Sequence, residues 1–197
     1  MNAPAGTYLA LLRGINVGGQ HEVPMARLRA LLTGLGFADV RTHLRSGNVL
    51  FRTTGPDGAG AVVSDPKGES EIRLETRLET ALREEFGFEV PVLVRTPDEL
   101  RRALDDSPWS GAELDASKVL LLFVREQPAP NHFAELDAER FAPDQFRLID
   151  RVVYCYFPNG MGRSKLGPAL QAVRPQLTMT GRNWRTVRTL LEMAERS

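Results

Sequence analysis

An unbroken apolar run, Leu9-Ala10-Leu11-Leu12, stops at Arg13 and gives way to Gly14-Ile15-Asn16-Val17-Gly18-Gly19 just before a helix can begin at Pro24. Such a run has no polar side, so it reads as a buried strand in the middle of a sheet. The glycines after it let the backbone take conformations barred to other residues and let a ligand approach the main chain, while Arg13 and Asn16 supply fixed hydrogen-bond donors. The end of this strand is where a site is expected.

The elements that follow can be read in order. Met25, Leu28, Leu31, Leu32 and Leu35 recur at helical spacing, with Pro24 suited to the first helical position and Gly34 and Gly36 closing the helix. Val40 to Leu44 and Asn48 to Arg52 read as two strands joined through Arg45-Ser46-Gly47. Thr54 to Gly68 is rich in Gly, Pro and Asp and reads as a surface loop. Ser70 suits the cap of a second helix, with Leu74, Leu78, Ala81 and Leu82 on one face and Gly87 at its end. Phe88 to Val94 alternates like a strand, but Pro91 cannot donate to a ladder, so this strand belongs at a sheet edge. The order is βαββαβ, and in the ferredoxin-like arrangement the fourth strand is an edge strand.

The second half starts with Thr96-Pro97-Asp98-Glu99, a threonine cap with proline at the first helical position and glutamate three residues after the cap. The apolar Val119 to Val124 predicts a central strand, and a brief helix is expected around Phe133 and Leu136. Strands are predicted at Gln145 to Ile149 and Val152 to Phe157. A helix through Leu166, Ala169, Leu170 and Val173 follows, and a last helix is expected to open at Thr180-Gly181-Arg182-Asn183-Trp184. These elements read βαββα. The expected class is α+β: a ferredoxin-like βαββαβ subdomain over residues 1–95 and a second α+β (βαββα) subdomain over 96–197.

Net charge is zero over 197 residues, but it is unevenly spread. Residues 1–63 carry six Lys/Arg against three Asp/Glu, 64–150 carry eleven against twenty, and 151–197 carry eight against two. Basic ends flanking an acidic middle would form a local positive surface if folding brings them together. No apolar run is long enough to span a bilayer, so no membrane partner is expected. The first residues lack the basic and apolar regions of a secretory signal, which makes the cytosol the expected compartment. A single cysteine, Cys155, excludes an intrachain disulfide and a cysteine-rich zinc site.

Known chemical motifs are missing. Gly14 and Gly19 stand at P-loop spacing, but Gln20-His21 occupy the places of the required Lys and Ser/Thr, and G-x-G-x-x-G is absent. His21, His43 and His132 are dispersed, so neither a metal nor another cofactor is expected. Ser46 lacks the nucleophile-elbow pattern, and Cys155, alternating with Val153 and Phe157, reads as a core residue. Candidate ligand-binding residues are Arg13, Asn16, Gly18, Gly19, Ser46, Asn48, Lys165, Arg182 and Asn183. The last two stand at an expected helix start, where free N–H groups favour an anion. Arg95, in the acidic middle, is expected to be indifferent to such a ligand.

Leu11 to Gly19, Met25-Ala26-Arg27-Leu28-Arg29, Ser46-Gly47-Asn48-Val49-Leu50-Phe51 and Thr180-Gly181-Arg182-Asn183-Trp184-Arg185-Thr186-Val187 closely resemble the domain of unknown function 1697 family. The resemblance implies a bacterial cytosolic protein with a ferredoxin-like first subdomain and an α+β second one, and no established activity. Members usually carry tyrosine and glutamine around the hairpin where this chain has His43 and Arg45.

Three function classes follow. The first is binding of a small anionic, for instance phosphorylated, ligand by the Arg13 to Gly19 loop and the Arg182 to Trp184 segment, with no reaction identified. The second is a nucleic-acid binding module, opposed by the absence of the aromatic words that stack bases. The third is an interaction or structural domain in which these polar words stabilise loops.

Overall fold

A computed structural model describes residues 6–53, 69–109 and 115–196. The chain divides into two compact units, Met1–Glu99 with Leu190–Ser197, and Leu100–Thr189. Thr54 to Gly68, expected as a surface loop, lies outside the described residues.

The first unit runs β1 (Thr7–Leu12), α1 (Met25–Gly34), β2 (Ala38–His43), β3 (Asn48–Arg52), α2 (Glu69–Phe86) and β4 (Val92–Arg95), followed by α3 (Pro97–Asp105), whose first residues belong to it. Its sheet has the order β2-β3-β1-β4, antiparallel throughout. The apolar run is therefore central, and the strand after Pro91 is at the edge. That strand starts one residue past the proline, because only residues with an N–H extend the ladder. Pro24 sits at the cap position just before α1, and α2 starts at Glu69, which puts Ser70 inside the helix. Leu28 and Leu32 of α1 join Leu74, Leu78 and Leu82 of α2 over Ala10, Leu12, Val49, Phe51, Val92 and Val94. The expected capping box forms: Glu99 N donates to Thr96 Oγ1 at 3.2 Å, and Thr96 N to Glu99 Oε2 at 2.8 Å.

The second unit holds β5 (Val119–Val124), β6 (Gln145–Ile149), β7 (Val152–Tyr156), α4 (Leu166–Ala172), β8 (Met179–Asn183) and the start of α5 (Trp184–Glu195). Its sheet order is β6-β7-β5-β8, again antiparallel. Two sequence expectations are corrected here. The segment Thr180 to Asn183 is strand, not the opening of the last helix, so the unit holds four strands in the order of the first sheet, with one α-helix, α4, between its third and fourth strands. The helix expected around Phe133 is a series of turns, and a 3₁₀ turn at Ala138–Phe141 replaces it. Phe133 still reaches the core, beside Phe146, Val153, Cys155, Phe157, Leu166 and Leu170.

Candidate functional site

The end of β1 is fixed from both sides. Leu12 N donates to Gly47 O at 2.8 Å and Arg13 N to Pro91 O at 2.9 Å. Gly14, at φ 73°, then turns the chain out of the sheet, and buried Ile15 pins the loop to the core. From Asn16 to His21 the loop is a miniature hairpin. Asn16 N donates to His21 O at 3.1 Å, Gln20 N donates to Val17 O at 3.1 Å, and Gly18 and Gly19 both have positive φ, as a two-residue hairpin turn requires.

Asn16 holds this hairpin to its surroundings. Its Nδ2 donates to Arg45 O at 2.7 Å and Val23 O at 3.1 Å, while its Oδ1 accepts from Val23 N at 2.9 Å. The β2–β3 turn is closed in the same manner by buried Asn48, whose Nδ2 donates to His43 O at 2.8 Å and Ser46 Oγ at 3.2 Å. The structure thus brings Arg13, Asn16, Gly18, Gly19, Ser46 and Asn48 into one loop cluster at one end of the first sheet. Within it Asn16, Ser46, Asn48 and the glycines serve as scaffold. Half-buried Arg13 is different: its guanidinium makes no hydrogen bond or ion pair among the described residues.

Lys165, Arg182 and Asn183 belong to the second unit. Lys165 is exposed at the start of α4. Arg182 is the larger correction: it lies within β8, only 6 % exposed, with Nη1 donating to Thr180 Oγ1 at 2.9 Å and Gly181 O at 2.8 Å. Burial draws its pKa down to about 10. Asn183 caps α5, its Oδ1 accepting from Thr186 N at 2.8 Å, so the helix start is already partly satisfied. Arg95 is 2 % exposed and close to Glu75 and Glu99.

No group of His, Cys, Asp and Glu that could hold a metal ion occurs among the described residues, nor is any helix there long and apolar enough to cross a membrane. Cys155 is fully buried, and desolvation pushes its thiol up to about 12. Native protein should therefore resist iodoacetamide at pH 8 and react with one equivalent once unfolded in urea, since the thiolate is the nucleophile. Prompt labelling of the native chain would show the strand to be open.

Two α+β units in tandem, each built on a four-stranded antiparallel sheet of ferredoxin-like strand order, define the class of protein. Within that class the chain belongs to the protein family of unknown function DUF1697, whose model matches residues 6–154. Among solved structures it is similar to the conserved bacterial protein SP0830 from Streptococcus pneumoniae, at 22 % identity and a TM-score of 0.66, over 97 % of this chain and 99 % of that one. No curated protein matches it.

Proposed function

We propose that this protein binds a small anionic ligand at Arg13. The observation that carries the reading is that the Arg13 guanidinium has no hydrogen bond or ion pair among the described residues, although Asn16 and Asn48 in the cluster have theirs. A half-buried guanidinium has lost part of its hydration, so a phosphate or carboxylate would restore charge-assisted hydrogen bonds on a frame already ordered. Asn16, Gly18, Gly19, Ser46 and Asn48 supply that frame. The reading rests on residues of the first unit alone and makes no use of Lys165, Arg182 and Asn183 of the second. Base stacking has less support, because Tyr8 on β1 and Phe51 on β3 stack on each other in the core beneath the helices.

Calorimetric and thermal-shift screens of inorganic phosphate, nucleotides and small carboxylates test the reading. Arg13→Ala should weaken the bound anion by about 1.5–3 kcal/mol, the range for a hydrogen bond to a charged group. Arg140→Ala, an exposed arginine of the other unit, should leave affinity unchanged. If no anion binds, or if binding survives Arg13→Ala, the reading fails.

A further inference from the structure

We infer that the two turns beside Arg13 form a docking surface for an acidic, leucine- or phenylalanine-bearing segment of a partner polypeptide; this rests on Arg13 being the anion-binding group. The first indication is backbone strain. Among the described residues, non-glycine residues with positive φ are Asn16, His21, Asp39, Asp150 and Leu44. The first four are of types that tolerate the left-handed region, but leucine does not, and Leu44 holds φ 59°. It is also 55 % exposed, so the strain is not offset by burial in the core. An asparagine or glycine there would close the same turn with less strain, and strain that the fold does not require points to a use outside it.

The second indication is what lies beside it. Val17, 69 % exposed, heads the Gly18-Gly19 turn, and the 2.7 Å bond from Asn16 Nδ2 to Arg45 O locks that turn against the one carrying Leu44. Val17 follows Asn16 and Leu44 precedes Arg45, so two exposed aliphatic side chains occupy adjoining turns. Their charged companions are Arg13 and Arg45, neither with an ion pair among the described residues. Positive charge beside apolar surface complements acidic side chains beside apolar ones. Val17 and Leu44 stand exposed on two adjoining turns, which an extended peptide can lie across and cover.

The test measures binding of full-length protein to short synthetic peptides of four compositions: acidic with Leu/Phe, acidic with Ser/Gly, basic with Leu/Phe, and uncharged with Leu/Phe. Only the first set should bind, and Leu44→Gly should weaken it by roughly tenfold or more. The same substitution should leave inorganic phosphate affinity intact and raise Tm by about 2–4 °C, because it removes strain. Val17→Ser, at an unstrained position, should also weaken the peptide without changing the fold. Binding of the acidic polar set as tightly as the first overturns the inference, as does peptide binding that survives both substitutions. So does tighter binding of mixed-sequence single-stranded RNA than of any peptide, or self-association abolished by Leu44→Gly. Phosphate binding without peptide binding overturns this inference alone. If no peptide, phosphate, nucleotide or small carboxylate binds, the Arg13 reading falls with it.

Discussion

Glu75→Ala is expected to lower the free energy of unfolding by about 3–5 kcal/mol, the cost of removing one carboxylate from a buried ion pair. Arg95 ends the edge strand β4 with its guanidinium withdrawn from water. Its Nη1 lies 3.9 Å from Glu75 Oε1 and donates to Val94 O at 2.6 Å, and its Nε lies 3.9 Å from Glu99 Oε1. Glu75 has a second task, because its Oε1 accepts from Val94 N at 2.8 Å. One turn along α2, Glu79 Oε1 accepts from Val92 N at 2.9 Å. Two glutamates on α2 therefore satisfy amides that an edge strand would otherwise leave open. Removing Glu75 leaves the buried cation with Glu99 as its remaining carboxylate and orphans a buried amide. Urea unfolding followed by circular dichroism measures the loss. Glu75→Gln keeps an acceptor for Val94 N and should cost less, and the pair Glu75→Leu/Arg95→Met should recover most of the stability. A Glu75→Ala protein within about 1 kcal/mol of the parent would mean that the charge is solvated after all.

Arg95 also shows why charge is hard to read along a chain. In an acidic stretch an arginine reads as one more solvated residue, yet its burial is decided by α2 lying beside β4, which is a tertiary fact. The local signals fared better. Thr96-Pro97-Asp98-Glu99 closes its capping box because every atom involved lies within four residues, and Pro91 marks a sheet edge because the missing N–H acts wherever the chain goes. Strand β8 carried no such signal. Met179-Thr180-Gly181-Arg182-Asn183 has one β-branched residue and a glycine, and its strand character comes from pairing with β5. There Gly181 makes room: a Cβ would stand 3.1 Å from Leu122 Cδ2 and 3.3 Å from Leu120 Cδ1.

The adjacency of the loops around Arg13 was legible in the sequence, but their internal hydrogen bonding was not. That the end of β1 and the β2–β3 hairpin tip are neighbours follows from the strand order, and the Leu12–Gly47 and Asn16–Arg45 hydrogen bonds realise it. Whether an amide side chain faces a ligand or its own loop depends on where the loop carbonyls point, which sequence spacing does not encode. Asn16 and Asn48 both face inward. Leu44 was silent for a related reason, since nothing in a leucine announces a left-handed backbone.

Gly47→Ala should be the second most damaging change, with an expected loss of about 2–4 kcal/mol from combined backbone strain and overpacking. Gly47 has φ 79°, and a Cβ there would fall 2.7 Å from Leu12 Cβ and 2.8 Å from Ile15 Cδ1. The end of the Ile15 side chain could rotate away. Leu12 Cβ could not, because it is tied to the backbone of the central strand, whose N–H donates to Gly47 O at 2.8 Å. The turn would have to lift from β1, loosening the Arg45 carbonyl from Asn16 and with it the frame around Arg13. Gly18→Ala is the control: φ is 61° but nothing lies within 4 Å of the new Cβ, so only the backbone term of about 1–2 kcal/mol should appear. Urea midpoints for the two variants separate the contributions, and the Gly47 variant should also lose anion affinity if Arg13 is held by this frame. Equal stability losses for Gly47→Ala and Gly18→Ala would show that the hairpin turn does not press against β1.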